Sequence, residues 1–137
     1  MDEIKVGMVM TLQKKVTIDD TSLNYGSGKI ENLLATPRLV AFMIEASSQL
    51  IDPVLSEGLI SIGHHVELDH FSPTVLGSTV TVEVKVASIV DGKIHLEMRA
   101  YDDYGQIGKG KHTRSVVNLN LLMDKAKGRE IDSPVID

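Results

Sequence analysis

Residues 78 to 102 constrain the fold more than any other part of this chain. In "STVTVEVKVASIV" (78 to 90), Val80, Val82, Val84 and Val86 share one face, with Thr79, Thr81, Glu83 and Lys85 opposite. Asp91-Gly92 follows, and "KIHLEMRAYD" (93 to 102) returns with Ile94, Leu96, Met98 and Ala100 on its inward side. A period of two suits a strand and spreads apolar groups all round a helix. Asp-Gly between two such runs is a hairpin turn, so this segment is an antiparallel sheet with one buried and one solvated face.

A half-buried sheet needs a cover, and residues 35 to 51 supply one. Thr36-Pro37 predicts a helix start, with Thr at the N-cap and Pro at the first helical position. Asp52-Pro53 ends the helix near Ile51, because the residue before proline is disfavoured in helical conformation. On a helical wheel Leu39, Val40, Met43, Ile44, Ala46, Leu50 and Ile51 form an apolar arc, with Arg38, Glu45, Ser48 and Gln49 on the other side. Partial alternation predicts a first strand over 8 to 18, and the Asp, Ser, Asn and Gly of 19 to 32 a long loop. Residues 59 to 71 read as another strand, with Ile62, His64, Val66, Leu68 and His70 on one face. After "DDYGQ" turns, residues 105 to 122 read as the last. The result is an α+β domain of one helix and a five-stranded antiparallel sheet, with a core over about 6 to 122. Residues 123 to 137 form a charged tail, a short helical turn and then frayed chain. A single helix covers only part of such a sheet, and the uncovered part favours association with another copy.

Composition narrows the class. All 137 residues fit one domain, and 42% hydrophobic with 24% charged residues is a globular profile. With no cysteine, the chain has no disulfide, thiolate metal site or cysteine nucleophile. A net charge of −5 and only five aromatics (Phe 2, Tyr 3) argue against nucleic acid as a partner. The acidic start "MDEIKVGMVM" lacks a signal peptide's basic region, and no apolar run approaches the ~18 residues of a membrane span. The expectation is a cytoplasmic protein with no membrane partner. His64 and His70, six residues apart on one strand, are too far apart to share an ion, so no metal site is expected.

Four strings carry a resemblance: "GSGKIENLLATPRLVAFM" (26 to 43), "EGLISIGHHVELDHFSPTVLG" (57 to 77), "VDGKIHLEMRAYD" (90 to 102) and "IGKGKHTRSVV" (107 to 117). Together they resemble the fluoroacetyl-coenzyme A thioesterase-like branch of the hotdog fold, in which a sheet wraps one central helix. The resemblance implies hydrolysis of an acyl-coenzyme A thioester between two subunits, in a homodimer or a dimer of dimers. It implies no cofactor beyond the coenzyme A of the substrate. Of its acting Thr, Glu and His, Thr36 and His70 match in position. Gly63 matches the backbone N–H that holds the thioester carbonyl, and Arg114 a family arginine. His64 and Lys111 stand beside Gly63 and Arg114 as candidate substrate contacts. The family acid falls eight residues after the Thr, where this chain has Ile44; Glu45 is one residue further on.

Each of these residues also has a plain structural reading. Thr36 could be only a helix cap, and His70 a satisfied histidine at a strand end. Glu45, half a turn round the helix from Thr36, fits a solvated acid beside Arg38, or an acid that orients His70 or water. Lys109, Lys111 and Arg114 fit a solvated strand face or contacts to coenzyme A phosphates. Loop 19 to 32 fits a lid or a dimer contact. Ile44 leaves open a second function, a non-catalytic module that binds or senses acyl-coenzyme A.

Overall fold

The computed structural model describes residues 4–132. Its elements are β1 (Val9–Lys15), α1 (Thr36–Ile51), β2 (Leu59–His70), β3 (Thr79–Val90), β4 (Lys93–Asp102), β5 (Gly105–Asn118) and α2 (Leu119–Asp132). Between β1 and α1 the long loop is not featureless, since short 3₁₀ turns form at Ile18–Asp20 and Ser22–Asn24. The strands form one antiparallel sheet in the order β1-β3-β4-β5-β2. β3, β4 and β5 are successive hairpins, whereas β2 crosses over to pair with β5 and becomes an open edge.

The valines of β3 at 80, 82, 84 and 86 are fully buried, as are Ile94 and Ala100 of β4. They meet Leu39, Phe42, Met43, Ala46 and Leu50 from one face of α1 in a single core. Each Val, Leu, Ile, Phe or Met side chain among them taken out of water contributes about 1.5–3 kcal/mol, so the hairpin and helix stabilise each other. Five strands curved round one long helix make the hotdog fold. Among the described residues no helix is long and apolar enough to cross a membrane.

Two bulges bend the sheet along one line. The β2–β5 register slips between Gly63 and His65, and the β3–β4 register between Val86 and Ser88. His65 and His95 both pair with Thr113, and His95 pairs with Ser88, so the two bulges lie in the same transverse row. Bulges increase local twist and bend the bulged strand, which suits a sheet that wraps a helix.

The β2 bulge corrects the expected register. A single extra residue exchanges the faces of a strand. Ile62 therefore does not share a face with Leu68 and His70, and Ser61 is the buried residue at that end. Two further expectations change. β5 stops at Asn118, and the tail begins as the 14-residue helix α2 rather than a short turn. The N-cap of α1 is Ala35, whose carbonyl accepts from Arg38 and Leu39, and Thr36 is the first helical residue. The frayed part of the tail, 133 to 137, lies outside the described residues.

Candidate active site

Thr36 opens α1 and His70 closes β2, and the fold brings them together. Gly108, paired with His70, is what permits the approach. A Cβ there would lie 3.0 Å from the Asp69 carbonyl oxygen and 3.2 Å from Leu39 Cδ2, so glycine lets the first turn of α1 lie against this corner of the sheet without displacing its neighbours. With the cap role taken by Ala35, the Thr36 hydroxyl is free, and its Oγ1 lies 2.7 Å from His70 Nδ1.

His70 is half-buried, and its Nε2 is buried without a hydrogen-bond partner. Burial pushes the imidazole's pKa below its usual value, and the Ser72 backbone only partly opposes this. The ring is therefore neutral near pH 7, and Nδ1 faces the Thr36 hydroxyl, from which it accepts when the proton sits on Nε2. Thr36 also lines a cavity of about 350 Å³ walled by Ser22, Tyr25, Gly28, Ile30 and Pro37. Four of these walls, Ser22, Tyr25, Gly28 and Ile30, come from the loop before the helix.

That loop is tied to α1 by a pair the sequence did not single out. Arg38 Nε and Nη2 lie 2.8 and 2.7 Å from Asp20 Oδ1, and the guanidinium sits 5.9 Å from the Phe42 ring centroid. Burial by itself raises the Asp20 pKa, but the Thr17 N–H and hydroxyl and the Arg38 guanidinium outweigh it and hold the carboxyl below its usual range. Asp20 and Tyr25 in turn keep Arg38 charged.

Arg38 is thus engaged with Asp20, and Glu45 faces a different neighbour. Its carboxylate lies 3.0 Å from Lys14 Nζ and accepts from Gln49 at 3.5 Å. Lys14 belongs to β1, at the opposite edge of the sheet from the strand that carries His70. Ile44 is half-buried on the outward arc of α1 with Pro37, Val40, Ala41 and Ser48.

The remaining residues separate into two places. Lys111 is exposed on the outer face, cross-strand from Glu67 and Glu97. His64 is the exposed extra residue of the β2 bulge. Gly63 and Arg114 are paired at the far end of β2, beyond the bulge from His70. Arg114 is not on a solvated face but buried at 5% exposure, against Ser61 and His112. Among the described residues no three His, Asp or Glu side chains are placed to hold a metal ion.

Comparison with known proteins places this architecture. The family described as fluoroacetyl-CoA-specific thioesterase matches residues 16–120. The fluoroacetyl-CoA thioesterase of Streptantibioticus cattleyicolor is 30% identical over 95 residues, 69% of this chain and 68% of that protein. A hot-dog-like protein from Thermanaerovibrio acidaminovorans superposes with a TM-score of 0.86 at 30% identity, covering 92% of this chain and 93% of that one. A variant of a fluoroacetyl-CoA thioesterase in complex with acetyl-CoA superposes with a TM-score of 0.85 at 25% identity, covering 95% and 100%.

Proposed function

The chain belongs to the fluoroacetyl-CoA-specific thioesterase family and is a thioesterase hydrolase, and from that premise we propose that Thr36 and His70 act as a dyad on a short acyl-coenzyme A, at a site completed by a second copy of the chain. The observation that carries the dyad is the 2.7 Å contact between the Thr36 hydroxyl and His70 Nδ1. Neutral His70 takes the hydroxyl proton as Thr36 Oγ1 attacks the thioester carbon, or takes it from a water that Thr36 orients. Coenzyme A leaves as the thiol, carrying that proton. In the first route, water then attacks the acyl-threonine with His70 again as base. The free N–H groups at the start of α1 favour the negative charge that develops there.

A second copy is needed because of Gly63. Seven residues of one strand separate it from His70, roughly 20 Å at about 3.3 Å per residue, so a carbonyl at Thr36 cannot reach the Gly63 N–H of its own chain. The molecule offers a surface for the partner. β2 is an open edge of twelve residues, and beside it α1 turns Pro37, Val40, Ala41 and Ile44 outward. An open edge next to an apolar helix face favours pairing with an identical edge. Antiparallel pairing of two β2 strands centred on Glu67, with His64 set aside as the bulge residue, brings Gly63 of one copy opposite His70 of the other.

The test is release of coenzyme A from acetyl, fluoroacetyl, longer and aromatic acyl thioesters. Release from at least one of them, lost in Thr36→Ala and His70→Ala, is the expected result. Thermal stabilisation by acyl-coenzyme A without release would mark a binding module and sink the enzymatic reading.

A further inference from the structure

We propose that His112 and Arg114 are positioning residues that set the β2 bulge carrying Gly63. This rests on the thioesterase reading, with the Gly63 N–H as the group that holds the thioester oxygen. A bulge interrupts the ladder and leaves backbone groups to be fixed by something else. In this chain a buried side-chain network fixes them from within the fold. Asp52 Oδ1 accepts from the Ser61 N–H at 2.9 Å and from the Ser61 hydroxyl at 2.6 Å. Arg114 donates from Nε to the Ser61 hydroxyl oxygen at 2.9 Å and from Nη2 to the Ser61 carbonyl at 2.7 Å. Arg114 Nη1 lies 3.2 Å from His112 Nε2, and His112 Nδ1–H donates to the His65 carbonyl at 2.8 Å.

The network therefore grips backbone on both sides of the slip, at Ser61 before it and at His65 after it. Gly63 rests directly on these side chains. A Cβ there would lie 3.0 Å from His112 Cε1 and 3.6 Å from Arg114 Nη1. The bonds also fix the histidine: Nδ1 carries the proton and Nε2 accepts from the guanidinium, so His112 is neutral. Stability alone is a poor reason for this arrangement. Asp52 reaches Arg114 only through Ser61, and apolar side chains would fill the same volume without desolvating a charge. What the polar network adds is a fixed backbone position at Gly63.

Two variants separate positioning from packing. His112→Asn keeps an N–H near the place of Nδ1 and so keeps the link to His65. His112→Gln keeps an acceptor near Nε2 for Arg114 and loses the link to His65. Steady-state kinetics are measured on the acyl-coenzyme A that the unmodified protein hydrolyses, together with Tm and the amide NMR resonance of Gly63. His112→Gln is expected to lower kcat by about 10- to 100-fold at nearly constant KM, as a misplaced oxyanion donor does. Its Gly63 resonance moves, while His112→Asn stays within about threefold in kcat. If neither His112 variant folds, Arg114→Lys, which keeps the charge but cannot span Ser61 and His112 at once, is expected to lower kcat at constant KM.

Unchanged kcat in His112→Gln overturns the proposal, as does unchanged kcat in Arg114→Lys. Equal losses in both His112 variants, in step with Tm, also overturn it. His70→Ala separates the levels. If that substitution abolishes activity while His112→Gln keeps it, only the positioning role falls. If the unmodified protein releases no coenzyme A, the underlying reading falls as well.

Discussion

The two ends of the central helix are built to opposite rules. At the N-terminal end, Thr36 and His70 are only partly covered, and His70 Nε2 has no partner. At the C-terminal end, Asp52, Ser61, Arg114 and His112 form an unbroken hydrogen-bonded run, with Arg114 and His112 about 5% and 3% exposed. An exposed hydroxyl held against a half-buried imidazole suits a pair that will meet substrate. A closed network suits a group that must not move. In a dimer paired through β2, the reactive end of one copy lies beside the rigid end of the other.

The largest expected effect falls on the reactive end. Thr36→Ala and His70→Ala each lower kcat/KM by about 10²–10⁴-fold, the usual worth of a positioned base. The double variant loses little more, because two groups acting as a unit are not additive; an additive loss, measured in the same coenzyme A release assay, would break the dyad apart. At the rigid end the expected loss is in stability. Arg114→Met leaves the Ser61 carbonyl and His112 Nε2 unpaired, and should cost about 3 kcal/mol and lower Tm by roughly 10 °C. A Tm within a degree of the unmodified protein would show that the network holds nothing.

Both ends also respond to pH in the same direction. Burial lowers the pKa of His70 and of His112 from about 6.5 in the unfolded chain. Below that pH the unfolded chain binds more protons than the folded one, so stability is full above it and falls as pH drops. Urea midpoints at pH 7.5, 6 and 5 should decline in that order, and His112→Asn should flatten the decline. The smallest effect is expected at Glu45. Glu45→Gln breaks a half-exposed pair with Lys14 worth at most about 1 kcal/mol, and should leave kcat within twofold. A loss of tenfold or more would return Glu45 to the reaction.

The sequence made the scaffold legible because period-two valines and the Asp91-Gly92 turn are local signals. Thr36 and His70 could be named as candidates through resemblance, but their contact depends on α1 pressing against Gly108, which is long-range. The rigid end was harder to read. Nothing in "ISIGHHVEL" announces that one residue is extra, and alternation alone puts Ile62 inside and Ser61 outside. Arg114 read as a surface or ligand-facing cation, because the partners that bury it come from distant places, Asp52 just after the helix and Ser61 early in β2. Asp52 itself looked only like a helix terminator before Pro53. Glu45 shows the reverse: the helical wheel turned it away from Thr36, and the neighbour that engages it, Lys14 across the sheet, has no local signature.

The central claim is that His70, kept neutral by burial and engaged by Thr36 rather than by a carboxylate, is the base. The pH dependence of kcat/KM for coenzyme A release tests it most directly. The account predicts an acid limb with its midpoint below pH 6.5, absent in the residual activity of His70→Ala. A midpoint at or above about pH 7, as a carboxylate partner would produce, would contradict it.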